Sequence, residues 1–220
     1  MIGKDKVLLG ILCLVAVSAW ADRAAWIENA TDFEETLAIQ AFSDVKKYYE
    51  NFGFSIPEGL PPTIFFQDRL TISGGAPSES MGLFDHDSMS VWIVHFKSPK
   101  FQRQGYLGDK SANMYYSIIV HEFAHYMNAL VSPGLPHATN ELIAGVVQVD
   151  LMNPETRRRI LSKGGVLKFS SYRDVTLFTY FRGPQNFILA SYYYCMEHPK
   201  MLLRFLNQTV PEIRDPFLFD

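Results

Sequence analysis

The stretch Ser117–Leu130, SIIVHEFAHYMNAL, constrains this chain more than any other, because it sets His121, Glu122 and His125 in an H-E-x-x-H spacing inside an apolar run. An α-helix turns about 100° per residue, so residues four apart differ by about 40° around the axis and stand one turn apart along it. On a helix both imidazoles therefore reach one ion. Neutral imidazole nitrogen suits Zn²⁺, and a catalytic zinc site takes three protein ligands and keeps one position open, so two histidines supply two thirds of such a shell. Glu122 stands beside them, too close along the chain to share the ion, and its carboxylate is left free to accept a proton from water. Ile118, Ile119, Val120, Phe123, Ala124 and Met127 surround the polar trio. A helix this apolar belongs in a core, where polar groups are tolerated only when partnered.

The start of the chain reads as a leader. Lys4 and Lys6 precede an apolar run from Val7 to Val17, and Ala19 and Ala21 supply small residues before a cleavage point, so residues 1–21 have the form of a secretory signal peptide. The run is shorter than the roughly 20 apolar residues of a spanning helix. The expectation is an exported protein, periplasmic or secreted, with no stable membrane span once the leader is removed. Cleavage would also remove Cys13, leaving Cys195 as the one cysteine. No intramolecular disulfide is then available, so the core must hold the fold and Cys195 is expected to be buried in it. With 20 basic and 23 acidic side chains the charge is nearly balanced, which gives no footing for a nucleic-acid partner. Residues 22–220 suffice for a single domain, with a sheet-containing lobe over 22–116 and an active-site and helical lobe over 117–220.

Thr31 and Glu34 stand at capping-box spacing, and Phe33, Leu37, Ala41, Val45, Tyr48 and Phe52 follow at helical intervals up to Gly53. Thr63–Phe66 is a short β-prone run, and Ser90–Phe96, SVWIVHF, is the best strand in the chain. Met81–Phe84 can pair with it across a turn at Asp85, His86 and Asp87, where the aspartates are read as turn residues rather than metal ligands. His95 is read as a packing or rim residue. Ser73–Ser80 is a turn or flap, and Lys97–Lys110 a polar loop leading into the H-E-x-x-H helix. After a turn holding Pro133, Gly134 and Pro136, a second helix is expected to open at Thr139 or Asn140 as cap, with Glu141, Ala144, Gly145 and Gln148 on one face. Asn153 and Pro154 open a further helix, whose Arg157, Arg158 and Arg159 are read as a solvated face. Helices are expected again over Gln185–Met196 and Pro199–Leu206.

His121, Glu122 and His125, followed by L-P-H-A-T-N-E-L-I-A at residues 135–144, resemble the gluzincin zinc metallopeptidases, especially the compact peptidase-MA-like group. In that group a proline stands five residues before a ligand glutamate and an alanine three after it, positions that Pro136, Glu141 and Ala144 occupy. The resemblance spans roughly residues 80–206. It implies an α+β, zincin-like fold: a small N-terminal mixed sheet with helices, the active-site helix, and a helical C-terminal lobe. It also implies one Zn²⁺ held by His121, His125 and Glu141, with Glu122 as general base acting on a peptide or protein substrate. A tyrosine of the helical lobe often stabilises the oxyanion in such enzymes, and Tyr180 best matches its place; Tyr172, Tyr192, Tyr193, Tyr194 and His198 are the other candidates. The strand at Ser90–Phe96 is expected to edge the cleft and bind an extended peptide.

His137 competes with Glu141 as third ligand. A structural metal site would close its shell with a fourth ligand, His137 being the nearest choice, and would leave no open position. An exported binding or assembly protein could also keep the peptidase fold without proteolysis, although such a protein has no reason to keep the base Glu122. No carboxylate can be placed from the sequence behind either histidine, where zinc ligands usually have a hydrogen-bond acceptor.

Overall fold

The computed structural model describes residues 26–59, 61–71, 79–106, 108–162 and 168–210. The leader-like residues 1–21, most of the Ser73–Ser80 segment, Gly164 and Gly165, and the C-terminal residues 211–220 lie outside them. Four strands, β1 (Ile27–Glu28), β2 (Ile64–Gln67), β3 (Gly82–Asp85) and β4 (Ser90–Val94), form one mixed sheet in the order β1-β2-β4-β3. The first three are parallel, and β3 runs antiparallel on the outer edge, Leu83 opposite Trp92 and Phe84 opposite Val91. The fold is thus α+β with a small mixed sheet, as the sequence predicts. β4, expected to edge the cleft, lies inside the sheet between β2 and β3, and none of its residues lines the cleft. Propensity identifies a strand without fixing its place in the sheet, and the heavily apolar β4 takes the position where both of its edges are paired.

Helix α1 (Asp32–Asn51) opens with the predicted capping box, Thr31 and Glu34 bonding each other's backbone N–H. Its buried face is Ala38, Ala41, Val45 and Tyr49, one step round from the expected stripe; Phe33 is outside, its ring tilted against Phe96 at 5.0 Å. The two alanines let α1 lie close to the helix that carries the H-E-x-x-H motif, and the larger Leu37, Tyr48 and Phe52 flank the contact. Within Lys97–Lys110, expected to be loop, a short helix α2 (Pro99–Gln104) forms because Ser98 caps it and buried Phe101 anchors it. The remainder of that segment makes a tight turn with Tyr106 paired to Asp109.

Helix α3 (Ala112–Val131), capped by Ser111, holds the motif. It is buried on nearly every side, as its composition requires, between α1, the inner face of β3 and β4, and α4 (His137–Asp150). Helix α4 opens at His137 behind Pro136, not at Thr139 or Asn140, which lie inside it, so Glu141 falls in the second turn. Helix α5 (Pro154–Leu161) has the expected Asn153 cap. Arg158 and Arg159 are exposed, as expected, and Arg157 is half-buried; Arg157 pairs with Asp150 and Arg159 with Asp109, tying the Tyr106–Asp109 turn to the helical lobe. Helices α6 (Leu177–Arg182), α7 (Pro184–Glu197) and α8 (Met201–Leu206) complete the lobe. Gly145 lets α4 approach α7, since a side chain there would overlap Ile188. Cys195 is buried, and burial raises its thiol pKa to about 12. Among the described residues no helix is long and apolar enough to cross a membrane.

Candidate metal centre

Helical spacing on α3 puts His121 and His125 on one face with their rings edge to face, centroids 4.7 Å apart, and their Nε2 atoms 3.1 Å from each other. Helix α4 crosses beneath them and delivers Glu141, with Oε2 3.4 Å from His121 Nε2 and Oε1 3.6 Å from His125 Nε2. One donor atom from each of the three residues lies within 4.8 Å of the others, and theirs is the one metal-competent cluster of histidine, cysteine and carboxylate among the described residues. Ligand atoms bound at about 2.0–2.1 Å in a tetrahedral shell stand roughly 3.3–3.4 Å apart. The two Nε2 atoms are 3.1 Å apart and each lies 3.4 or 3.6 Å from a different Glu141 oxygen, distances close to that value, whereas N–H···O hydrogen bonds centre near 2.9–3.0 Å. The donor set therefore fits an ion with tetrahedral preference, and the carboxylate offsets its charge.

His137 is not part of the cluster. Its Nε2 is 3.8 Å from Glu141 Oε1, its side chain is 54% exposed, and its ring stands edge-on to Tyr180 at 5.6 Å. Of the two third-ligand candidates the structure brings Glu141 to the histidines, and His137 remains at the mouth. The shell provided by the protein has three members and one open side, and His121, Glu122 and Glu141 line a cleft of about 640 Å³ on that side.

The support behind His125 is an amide. Asn140 Oδ1 is 3.0 Å from His125 Nδ1 and also accepts from Asn128 Nδ2 at 2.7 Å, while Asn128 Oδ1 accepts from the Tyr49 hydroxyl at 2.6 Å. With the Asn140 oxygen turned to both partners, His125 must donate from Nδ1 and present an unprotonated Nε2 to the cluster. Burial lowers the His125 pKa to about 4, against the pull of Glu141, so the ring is neutral at neutral pH. Burial works to raise Glu141, but His125 and His121 outweigh it and hold that carboxyl down to about 2.

Glu122 stands apart from the ligands. Its carboxylate is buried against Gly82 on β3, where any Cβ would overlap it, and the Phe84 backbone N–H bonds it. Burial raises its pKa to about 7, opposed by His121 and helped by Glu141. Tyr180, on α6, lines the cleft with its hydroxyl in hydrogen-bonding reach of Glu141; burial and then the Glu141 charge raise its pKa. Of the alternatives, Tyr172, Tyr192, Tyr193, Tyr194 and His198 do not line the cleft. The Asp85–Asp87 cluster is a turn, Asp85 accepting from Asp87 N–H and the Ser88 hydroxyl.

Four contributors escape sequence reasoning. Asn140 carries the signal of a helix cap, Gly82 that of a strand residue, and Gln148 that of one polar position on an apolar face. Tyr106, from the turn after α2, shares the cleft with Tyr180, and burial, then Glu141 and Glu122, raise its pKa. Residues 36–210 match a family model described as a family of unknown function, DUF6639. The chain belongs to that family. The span that defines DUF6639 holds all three ligand candidates, Glu122, Asn140, Gln148, Tyr106 and Tyr180, so the whole centre lies within the family region. No curated protein and no solved structure matches the chain.

Proposed function

We propose that this protein is a zinc-dependent peptidase of gluzincin type with a zincin-like fold. The observation that carries the proposal is that His121, His125 and Glu141 converge at ligand spacing while Glu122, the adjacent residue, is held out of the cluster on the cleft side. A bound zinc ion supplies Lewis acidity at the scissile carbonyl. Glu122 accepts the proton of the attacking water and returns it to the leaving amine, a role suited to a carboxyl that titrates near neutrality. Tyr180 donates its hydroxyl hydrogen to the oxyanion that develops on the carbonyl. An extended peptide docks along the open edge of β3, the strand that borders Glu122, rather than along the interior β4. With the leader-like residues 1–21, the enzyme acts in the periplasm or outside the cell.

Incubating the purified chain with a mixed peptide library and reading new termini by mass spectrometry tests the proposal. Cleavage should vanish with chelator, return with zinc, and be missing in Glu122→Gln. Cleavage that survives both treatments would contradict a metal-dependent mechanism with Glu122 as base, and a zinc-loaded protein that cuts nothing would leave the chain a binding protein on the same fold.

A further inference from the structure

A histidine that binds metal through Nε2 carries its proton on Nδ1, and that N–H needs an acceptor. For His125 the acceptor is Asn140. For His121 no formed bond exists: its Nδ1 is buried without a hydrogen-bond partner. Gln148 Oε1 is the other buried side-chain atom in that state among the described residues. Orphaned buried polar atoms are uncommon, and these two are complementary, one able to donate and the other only to accept.

They also share one place. Gln148 lies two turns beyond Glu141 on the same face of α4, is fully buried, and lines the same cleft as His121. Gln148 reaches across to Ser117, which stands one turn before His121 on α3. The orientation of the Gln148 amide is set from its other end. Ser117 Oγ donates to Met114 O at 2.8 Å, which leaves its oxygen to accept from Gln148 Nε2 at 3.3 Å. With the nitrogen engaged there, the oxygen is left as the amide's free acceptor.

We propose that Gln148 is the positioning residue for His121, its Oε1 accepting the Nδ1 hydrogen when metal binds and thereby fixing Nε2 as the donor atom. The inference rests on the metal-site reading and adds to it that both histidines are backed by neutral amides, Asn140 and Gln148, with no carboxylate. A neutral acceptor withdraws less of the proton than a carboxylate does and leaves the imidazole a weaker donor, so this centre holds zinc less tightly than a carboxylate-backed one.

Zinc affinity of the full chain, measured by competition with a chromophoric chelator, tests this, together with the His121 Nδ1–H signal in the zinc-loaded protein by NMR. Gln148→Met, similar in length but without an acceptor, should weaken zinc binding by about 10–100-fold and let that proton exchange rapidly. Gln148→Glu should bind at least as tightly as the wild type, with the signal retained. The melting temperature of each metal-free variant reports whether it folds. If Gln148→Met does not fold, Gln148→Glu decides, since a lost signal or weakened binding there overturns the proposal. Unchanged affinity and an unchanged signal in a folded Gln148→Met overturn it directly. A wild type that binds no zinc defeats the metal-site reading itself, and that result appears before any variant is made.

Discussion

Glu34 and Glu141 are both buried carboxylates facing histidine, yet the atoms around them differ in kind. Glu34 accepts from five protein donors: Thr31 N–H and hydroxyl, Phe96 N–H, the Tyr115 hydroxyl and His95 Nδ1, at 2.7–3.3 Å. It joins the start of α1 to the end of β4 and to α3, and nothing further is needed to satisfy it. Glu141 faces two Nε2 atoms at 3.4 and 3.6 Å, and that of His125 is directed inward by Asn140 behind its ring. A buried Glu–His contact is thus not in itself a metal site. What separates the two is whether the carboxylate's neighbours are donors of hydrogen or donors of lone pairs.

Five substitutions sharpen that contrast, taken from the largest effect down. Glu141→Ala should reduce bound zinc from about one ion per chain to near none by elemental analysis, while Glu34→Ala leaves the stoichiometry at about one. Equal losses would erase the distinction. Glu122→Gln should retain zinc but lower peptide hydrolysis by about 10²–10⁴-fold, because the general base is lost and the ligand set is not. Tyr180→Phe should cost about 10²-fold in kcat with zinc content intact; a change confined to KM would make Tyr180 a substrate contact only. Glu34→Gln should leave the metal in place and destabilise the fold by about 1–3 kcal/mol in urea titrations, since several donors lose an ionised acceptor.

The last substitution also has a pH signature. Burial works to raise the Glu34 pKa, but the hydrogen bonds from Thr31, Phe96 and His95 outweigh it and hold the carboxyl below its ordinary value of 4.5. A depressed folded-state pKa means that the unfolded chain takes up the proton first as pH falls. The stabilisation by Glu34 is therefore complete above about 4.5 and disappears as pH drops through the lower folded value. Glu34→Gln should flatten the stability profile over that window. A variant with the same acid limb as the wild type would assign the acid sensitivity to other carboxylates.

The motif on α3 was legible in the sequence because helical spacing alone puts His121 and His125 together, and the Thr31 and Asn153 caps and the β3–β4 hairpin were legible because their signals are equally local. The third ligand was reached only through resemblance, since the distance from Glu141 to the histidines depends on how α4 crosses α3, which no local pattern encodes. Thr139 and Asn140 misled for a physical reason: both residue types favour caps, but Pro136 already starts the helix, and Asn140 is occupied by His125 and Asn128. The position of β4 in the sheet, the short β1 and the placing of Tyr106 at the cleft are likewise decided by tertiary packing. His95, read as a packing or rim residue, proves to be a partner of Glu34.

The central claim is that the buried triad of His121, His125 and Glu141 is a zinc site with one open position. Zinc content per chain of the purified protein, measured by elemental mass spectrometry after removal of loosely bound metal, tests it most directly, with Glu141→Ala and Glu34→Ala measured alongside. About one zinc per chain in the wild type and in Glu34→Ala, and almost none in Glu141→Ala, is the predicted result. A wild type that holds no zinc even after reconstitution, or a Glu141→Ala protein that holds as much as the wild type, would contradict it.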